Sequence, residues 1–287
     1  MPLYKMLPAV LCLFLGCAHL ASCGGAASSN ENANANPSTT PAPTPDVGAM
    51  LKRMITQDGC KDFTADMRMT SADEAGKREH IDFKVQRKYG ADHTSTFLSV
   101  LSPAEDSNKA LLAVEQQDQP TQAYSYLPGL RKLTKINSDR RLGFHNAKVT
   151  VQDMLGMELG QYDHSPGERV SVDGTPLIKV EFKEKPYLNL AYPRIVGYFH
   201  EKDQSPAKFE IYDYRDELQK RVTVEEVKQI QNRQTITRMA IDDVQQKIKV
   251  SVETRKIEYD RGLSDNLFTE DRLKSFINNA VQRLDQQ

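Results

Sequence analysis

Cysteine, histidine and paired carboxylates are the side chains that most readily do chemistry, and in these 287 residues they are sparse. Cys12 and Cys17 sit in an apolar leader, Cys23 follows Leu20-Ala21-Ser22, and only Cys60 lies in the part able to fold. No intramolecular disulfide is therefore available, and Cys60 reads as a small buried hydrophobe. His80, His93, His145, His164 and His200 are scattered, with none at metal-ligand spacing. Glu225-Glu226 and Asp242-Asp243 are neighbours in strand-like segments, so their carboxylates point to opposite faces, form no acid/base pair and read as solvated. Asp139 and Asp153 flank the most unusual segment yet stand beside no nucleophile. Neither CxxC nor HExxH occurs, and GxSxG, GxxxxGK(S/T) and GxGxxG are missing as well. No catalytic residue, metal or cofactor is expected. The residue whose neighbours best suit a reaction is Cys23: its thiolate is a nucleophile, and the small Ala21 and Ser22 leave the backbone before it open to close approach.

The setting of Cys23 supports that reading. Lys5 is a basic n-region, and Met6 to Leu15 (MLPAVLCLFL) is an apolar h-region too short to span a bilayer. Leu20-Ala21-Ser22-Cys23 resembles the lipobox of bacterial lipoproteins, in which the cysteine takes a diacylglycerol and the leader is cut before it. Phe14-Leu15-Gly16-Cys17 fits less well, with Phe in the leucine position, and the plainer alternative is an ordinary secretory leader cut after Ser22. Residues 24 to 46 (GGAASSNENANANPSTTPAPTPD) hold almost nothing that fills a core, and read as a disordered tether with a span of roughly 25–30 Å. The expected organisation is a signal peptide over 1–22, a lipidated cysteine and tether over 23–46, and one domain over 47–287.

Charge excludes one class of partner. With 38 Lys+Arg against 39 Asp+Glu, no global field draws the chain to nucleic acid.

From Phe63 onward the dominant period is two. Phe63, Ala65, Met67 and Met69 alternate with polar residues, as do Ile81, Phe83 and Val85, and Ile248, Val250 and Val252, which predicts antiparallel strands buried on one face. Further strands are expected at 96–101, 110–115, 122–126, 195–201, 208–213, 218–227 and 235–241. The Asp173-Gly174 pair predicts a type I′ hairpin, with Ile178, Val180 and Phe182 on the return strand. The apolar phase changes between Val252 and Ile257, which requires a bulge or a bend. Helical spacing marks Val47, Met50, Leu51 and Met54, and again Leu273, Phe276, Ile277 and Val281; a short helix over Thr150 to Leu155 is also expected. The fold class is mainly β: one curved antiparallel sheet or incomplete barrel, with helices at both chain ends closing its open side.

Tyr124-Ser125-Tyr126-Leu127-Pro128-Gly129-Leu130-Arg131-Lys132-Leu133, then Ser138-Asp139-Arg140-Arg141 and Val149 to Met154, resembles the central signature of the outer-membrane lipoprotein-sorting, or LolA-like, family. Tyr198-Phe199-His200, Lys208 to Asp213, Thr237-Arg238-Met239, Thr254 to Tyr259 and Leu263 to Thr269 resemble its later strands. The likeness runs over about 50 to 280. Where the family has glycine-serine-aspartate after a phenylalanine, this chain has Phe144-His145-Asn146-Ala147-Lys148, so no role of that loop is carried over.

The resemblance implies an incomplete barrel whose concave apolar face holds acyl chains of a lipoprotein or phospholipid, without enzymatic activity. Candidate acyl-contacting residues are Met67, Met69, Phe83, Tyr126, Leu130, Leu133, Met154 and Met239, since flexible thioethers suit chains of varied shape, although any one methionine also serves as plain core. Arg131, Lys132 and Arg140 are candidates for a headgroup rim, within a basic run that reads equally as a strand with a solvated face. A protein held by acyl chains at Cys23 cannot shuttle freely, so a membrane-bound acceptor, donor or handoff module serving an envelope export system is expected. Gly24, where an aspartate would favour the inner membrane, points to the periplasmic side of the outer membrane. The alternative is an interaction module that senses envelope stress through a protein partner and carries no lipid.

Overall fold

The structure, a computed structural model, describes residues 46–56, 60–116, 119–127, 132–136, 153, 155 and 159–284. Two helices, α1 (Val47–Thr56) and α2 (Glu270–Leu284), flank the strands. The first six strands are β1 (Asp62–Ala72), β2 (Arg78–Tyr89), β3 (His93–Ser102), β4 (Ala110–Gln116), β5 (Gln122–Leu127) and β6 (Lys132–Ile136). The second run is β7 (Tyr162–His164), β8 (Glu168–Val172), β9 (Thr175–Glu184), β10 (Arg194–His200), β11 (Pro206–Tyr212), β12 (Leu218–Ile230), β13 (Arg233–Asp243) and β14 (Ile248–Tyr259).

These strands form one antiparallel sheet in the order β6-β5-β4-β3-β2-β1-β14-β13-β12-β11-β10-β9-β7, with β8 also paired to β9. The first and last strands therefore meet in the middle, joining two meanders. The sheet curls but is not closed. Gln161, just before β7, donates from Nε2 to the Gln119 carbonyl at 2.7 Å and to Thr121 Oγ1 at 3.2 Å, just before β5. The two ends of the strand order thus approach each other, while among the described residues β6 and β7 do not pair.

Local devices follow the sequence. Asp173 and Gly174 have φ of 49° and 78°, as the β8–β9 turn demands. Arg255 is the extra residue of a bulge, because Asp66 pairs Lys256 while Met67 pairs Thr254, and the bulge lets Val252, Ile257 and Tyr259 all be buried. Asp46 caps α1 by accepting from the Ala49 N–H at 2.9 Å. Thr269 Oγ1 accepts from the Arg272 N–H at 3.2 Å at the start of α2. Of the helix expected over 150–155, Asp153 and Leu155 are helical and the rest lies outside the described residues.

The two faces of the sheet pack differently. On the inner face Phe63, Met67, Met69, Phe83, Leu98, Leu111, Ala123, Ile136, Phe209, Val222 and Met239 belong to one large core, beneath Val47, Met50 and Leu51 of α1. On the back, the alternate residues Phe97, Ala110 and Leu112 pack with Leu273 and Ile277 of α2. The C-terminal helix therefore does not fill the open side, as the sequence led us to expect. Phe97 on β3 and the even phase of Ala110 and Leu112 on β4 are apolar on that side, and they need a cover of their own. Elsewhere the back is polar: Arg68 grips Asp82 with two bonds of 2.6 Å, and the Arg194 guanidinium lies 3.6 Å from the centre of the Tyr212 ring.

Candidate functional site

The inner face has an apolar floor at its centre. Register sets Met67 opposite Phe83, Met69 between Ile81 and Val252, and Val252 between Met69 and Met239, which in turn faces Val224. This row crosses five strands, β2, β1, β14, β13 and β12, a width of about 19 Å at the usual strand spacing. Met50 of α1 is buried in the same core. Three methionines and a phenylalanine that the sequence singled out, Met67, Met69, Met239 and Phe83, are thus brought together, each buried.

Charged side chains stand at two margins of this floor. On β12 and β13, Lys220 and Asp243 are in register, Nζ to Oδ2 3.9 Å, and both are buried. Asp153 enters from outside the sheet with 0% exposure. Its Oδ1 accepts from the Tyr192 hydroxyl at 2.5 Å and lies 3.5 Å from Lys220 Nζ, which is itself 3.3 Å from the Tyr192 oxygen. Tyr162 fixes the backbone of that tyrosine by donating to the Tyr192 carbonyl at 3.0 Å. Burial pulls the Lys220 ammonium down from 10.5 to about 8, against the pull of Asp153 and Asp243 in the other direction. Burial likewise pushes the Asp243 carboxyl up, opposed by Lys220.

At the other margin, Arg87 on β2 donates to Glu115 Oε2 on β4 at 2.8 Å and to the Leu155 carbonyl at 2.7 Å. Asp153 therefore reaches one margin and the Leu155 carbonyl the other, and Leu155 itself is buried in the large core. Charges taken out of water at this cost are retained only with paired, hydrogen-bonded partners.

The remaining predicted site residues lie elsewhere. Leu133 packs on the back with the α2 cluster, and Lys132 beside it on β6 is exposed. Tyr126 on β5 is in register with Leu133. Cys23, Leu130, Arg131, Arg140 and Met154 lie outside the described residues. Asp243 is buried, against the solvated position expected from sequence, whereas Asp242 is half-exposed opposite Arg221. Lys220, Tyr192, Arg87 and Glu115 escaped the sequence reading. Yet Lys220 shares the phase of Val222 and Val224, Arg87 that of Ile81, Phe83 and Val85, and Asp243 that of Met239 and Ile241. A charge in the apolar phase of a strand was the signal. Among the described residues no group of three metal-ligating side chains forms, and no helix is long and apolar enough to cross a membrane.

A family model described as "Uncharacterized protein" matches residues 92–275. No curated protein matches the chain. Among solved structures, a DUF1329 family protein from Desulfovibrio piger superposes with a TM-score of 0.71 at 21% identity, covering 78% of this chain and 96% of that one. A domain described as that of an outer membrane lipoprotein-sorting protein, from Vibrio parahaemolyticus, gives 0.67 at 20% identity over 75% and 92% of the two chains. A LolA superfamily protein from Nitrosomonas europaea gives 0.68 at 17% identity over 80% and 100%. At these identities the likeness is one of fold.

Proposed function

We propose that this chain, which belongs to the family of uncharacterized proteins matched over residues 92–275 and has the LolA-like fold, binds acyl chains of a lipoprotein or phospholipid on the inner face of its sheet. In this reading it is a non-enzymatic lipoprotein of the outer membrane. Residues 1–22 are its signal peptide, Cys23 carries the anchor, 24–46 are the tether, and 47–287 face the periplasm and hand lipid to or from an envelope export system.

The observation that carries the reading is the floor of Met67, Met69, Met239 and Phe83 under Met50 of α1. Burial of an acyl chain yields about 0.8 kcal/mol per methylene, so a lipid crosses water only if an equivalent apolar interior receives it. Thioethers have the rotatable bonds to refit around such a guest. A second reading draws on the same face being filled by its own side chains, with Phe83 at 0% exposure: a module that binds a protein partner and no lipid.

Native mass spectrometry with lipid extraction tests this on the full chain carrying Cys23→Ser, so that the proposed anchor contributes no lipid of its own. Copurifying phospholipid or lipopeptide, lost on Met67→Asp, is the expected result. A clean mass that stays unliganded when lipids are offered would overturn it in favour of the partner-binding module. The unsubstituted chain should carry the added mass of acyl groups at Cys23.

A further inference from the structure

Among the described residues four large apolar side chains are exposed, Leu101, Tyr187, Tyr214 and Val227, and two of them belong to one place. Tyr187 lies in the loop from β9 to β10, residues 185–193, and is 95% exposed, against 40% to 51% for the other three. Tyr214, on the turn after β11, donates from its hydroxyl to the Leu190 carbonyl of that loop at 2.9 Å. The backbone of Tyr187 is left-handed, with φ of 70°, as is that of Asn189 at 50°. A bulky residue keeps this conformation only where its surroundings hold it there. They do so here. The Glu184 N–H donates to the Pro193 carbonyl at 2.9 Å across the base of the loop, the Lys185 N–H to the Gln161 carbonyl at 3.0 Å, and the Leu190 N–H to Glu184 Oε2 at 2.8 Å. Leu188, Leu190 and Tyr192 are buried in the large core, so the loop alternates: one row is fastened inside, and Tyr187 and Asn189 are presented outside. A ring that packs against almost nothing of its own protein, on a backbone held this firmly, is placed for contact with something else.

The chemistry of the loop suits a lipid surface. Residues 185–193 (KPYLNLAYP) contain no carboxylate that would repel lipid phosphates, and a tyrosine has the apolar ring and polar tip that fit the boundary between acyl chains and head groups. The loop also stands at an end of the inner face. Tyr192 Oη is 3.3 Å from Lys220 Nζ, and Asp243, the register partner of Lys220, lies four residues along β13 from Met239, about 13 Å at the rise of an extended strand. A bilayer that meets Tyr187 therefore meets one end of the face proposed to take acyl chains. The anchor makes a single tip sufficient, because a domain held within the span of residues 24–46, roughly 25–30 Å, reaches its own membrane without diffusing to it. We infer that Tyr187 is the point at which the domain rests on a phospholipid bilayer, with its ring in the head-group layer and the loop 185–193 as a rigid mount. The inference rests on the anchored, acyl-binding reading and adds the orientation in which the domain meets the membrane.

The chain contains no tryptophan, so one introduced at the tip reports alone. The full chain, lipidated at Cys23, is prepared as Tyr187→Trp and as Lys202→Trp, the latter exposed on the turn at the other end of β10, and placed in vesicles of phosphatidylethanolamine and phosphatidylglycerol with and without acyl-brominated phosphatidylcholine. Tyr187→Trp should emit at shorter wavelength than Lys202→Trp and lose about half its intensity to the brominated lipid, while Lys202→Trp loses almost none. Equal emission and equal quenching of the two variants overturns the bilayer contact and leaves the tip to a protein partner. Tyr187→Asp probes the same point without a reporter. It should slow the uptake of phospholipid from vesicles several-fold, yet dodecanol, delivered from solution to the Cys23→Ser chain and measured by titration calorimetry, should bind as tightly as before. An uptake rate indifferent to Tyr187→Asp counts equally against the contact. Should dodecanol fail to bind the unsubstituted inner face, the acyl reading falls, and the quenching contrast, which needs no guest, still decides where the domain touches the membrane.

Discussion

Two apolar clusters share strands β3 to β6, one on each face, and they are built from different materials. The back cluster joins Phe97, Ala110 and Leu112 to Leu273 and Ile277, with Phe97 and Phe276 edge to face at 5.7 Å. Among the described residues it contains no methionine. The inner cluster holds Met50, Met67, Met69 and Met239 and is bordered by Lys220, Asp243, Asp153, Arg87 and Glu115, all buried. Stiff rings and branched chains suit a surface that packs once, in one way. Flexible thioethers beside costly charges suit a surface whose contents can be exchanged, because what the charges lose in one state another partner restores.

The largest effect tests the costly charges directly. Lys220→Ala removes a buried cation that both Asp153 and Asp243 address, which should cost about 3–5 kcal/mol, read from the urea midpoint. Neutralising the cluster together, with Lys220→Met, Asp153→Asn and Asp243→Asn, should recover most of that loss. A silent Lys220→Ala would mean the inner face is as plain a core as the back. Next in size is Ile277→Ala, which empties a fully buried site of the back cluster and should cost about 3 kcal/mol while leaving amphiphile affinity unchanged. A change in affinity there would erase the distinction between the faces.

A pH series sharpens the comparison further. The folded protein holds the Lys220 proton less tightly than the unfolded chain does, about 8 against 10.5, so between those values the unfolded chain binds more protons and stability rises with pH. Below pH 8 the cost of the buried charge is present in full; above it the cost is progressively relieved. Measured as the difference from Lys220→Met, so that other titrating groups cancel, the unsubstituted protein should gain about 2–3 kcal/mol between pH 7.5 and 10. An Ile277→Ala background should show the same gain, since the back cluster has no part in it.

How much of this was written in the chain depends on what alternation reports. Period two located β1, β2 and β14, the change of phase after Val252 located the Arg255 bulge, and Asp173-Gly174 located the β8–β9 turn, because each is decided within a few residues. The same period cannot say which apolar phase faces which cover. Phe97 and Leu98 are both buried, on opposite sides, and only tertiary packing assigns α2 to the first and the large core to the second. The polar margin was hidden for a related reason. Polarity on a strand was read as exposure, whereas Lys220 and Asp243 occupy the inner phase and are made tolerable by Asp153 and Tyr192, which lie 67 and 28 residues from Lys220 along the chain. A surplus of polar groups in the apolar phase of neighbouring strands is the pattern by which such a site is recognisable beforehand.

The smallest effect is the one that decides where the acyl face ends. Leu133 stands on β6 at the rim of the sheet, half-buried, and packs with the back cluster rather than with Met67 and Met239. Its sequence neighbourhood, a basic run interleaved with leucines, reads as part of a lipid cavity, while its position in the fold puts it on the face that α2 covers. Leu133→Ala removes a partly exposed side chain at a strand edge and should cost only about 1 kcal/mol. Its dodecanol affinity should match that of the unsubstituted protein, because no atom of the inner floor has moved. Were that affinity to fall together with the stability, the rim of β6 would have to turn its leucine toward the guest when lipid binds. The two faces would then exchange residues at that edge, and the back cluster would be part of the binding device rather than its fixed support.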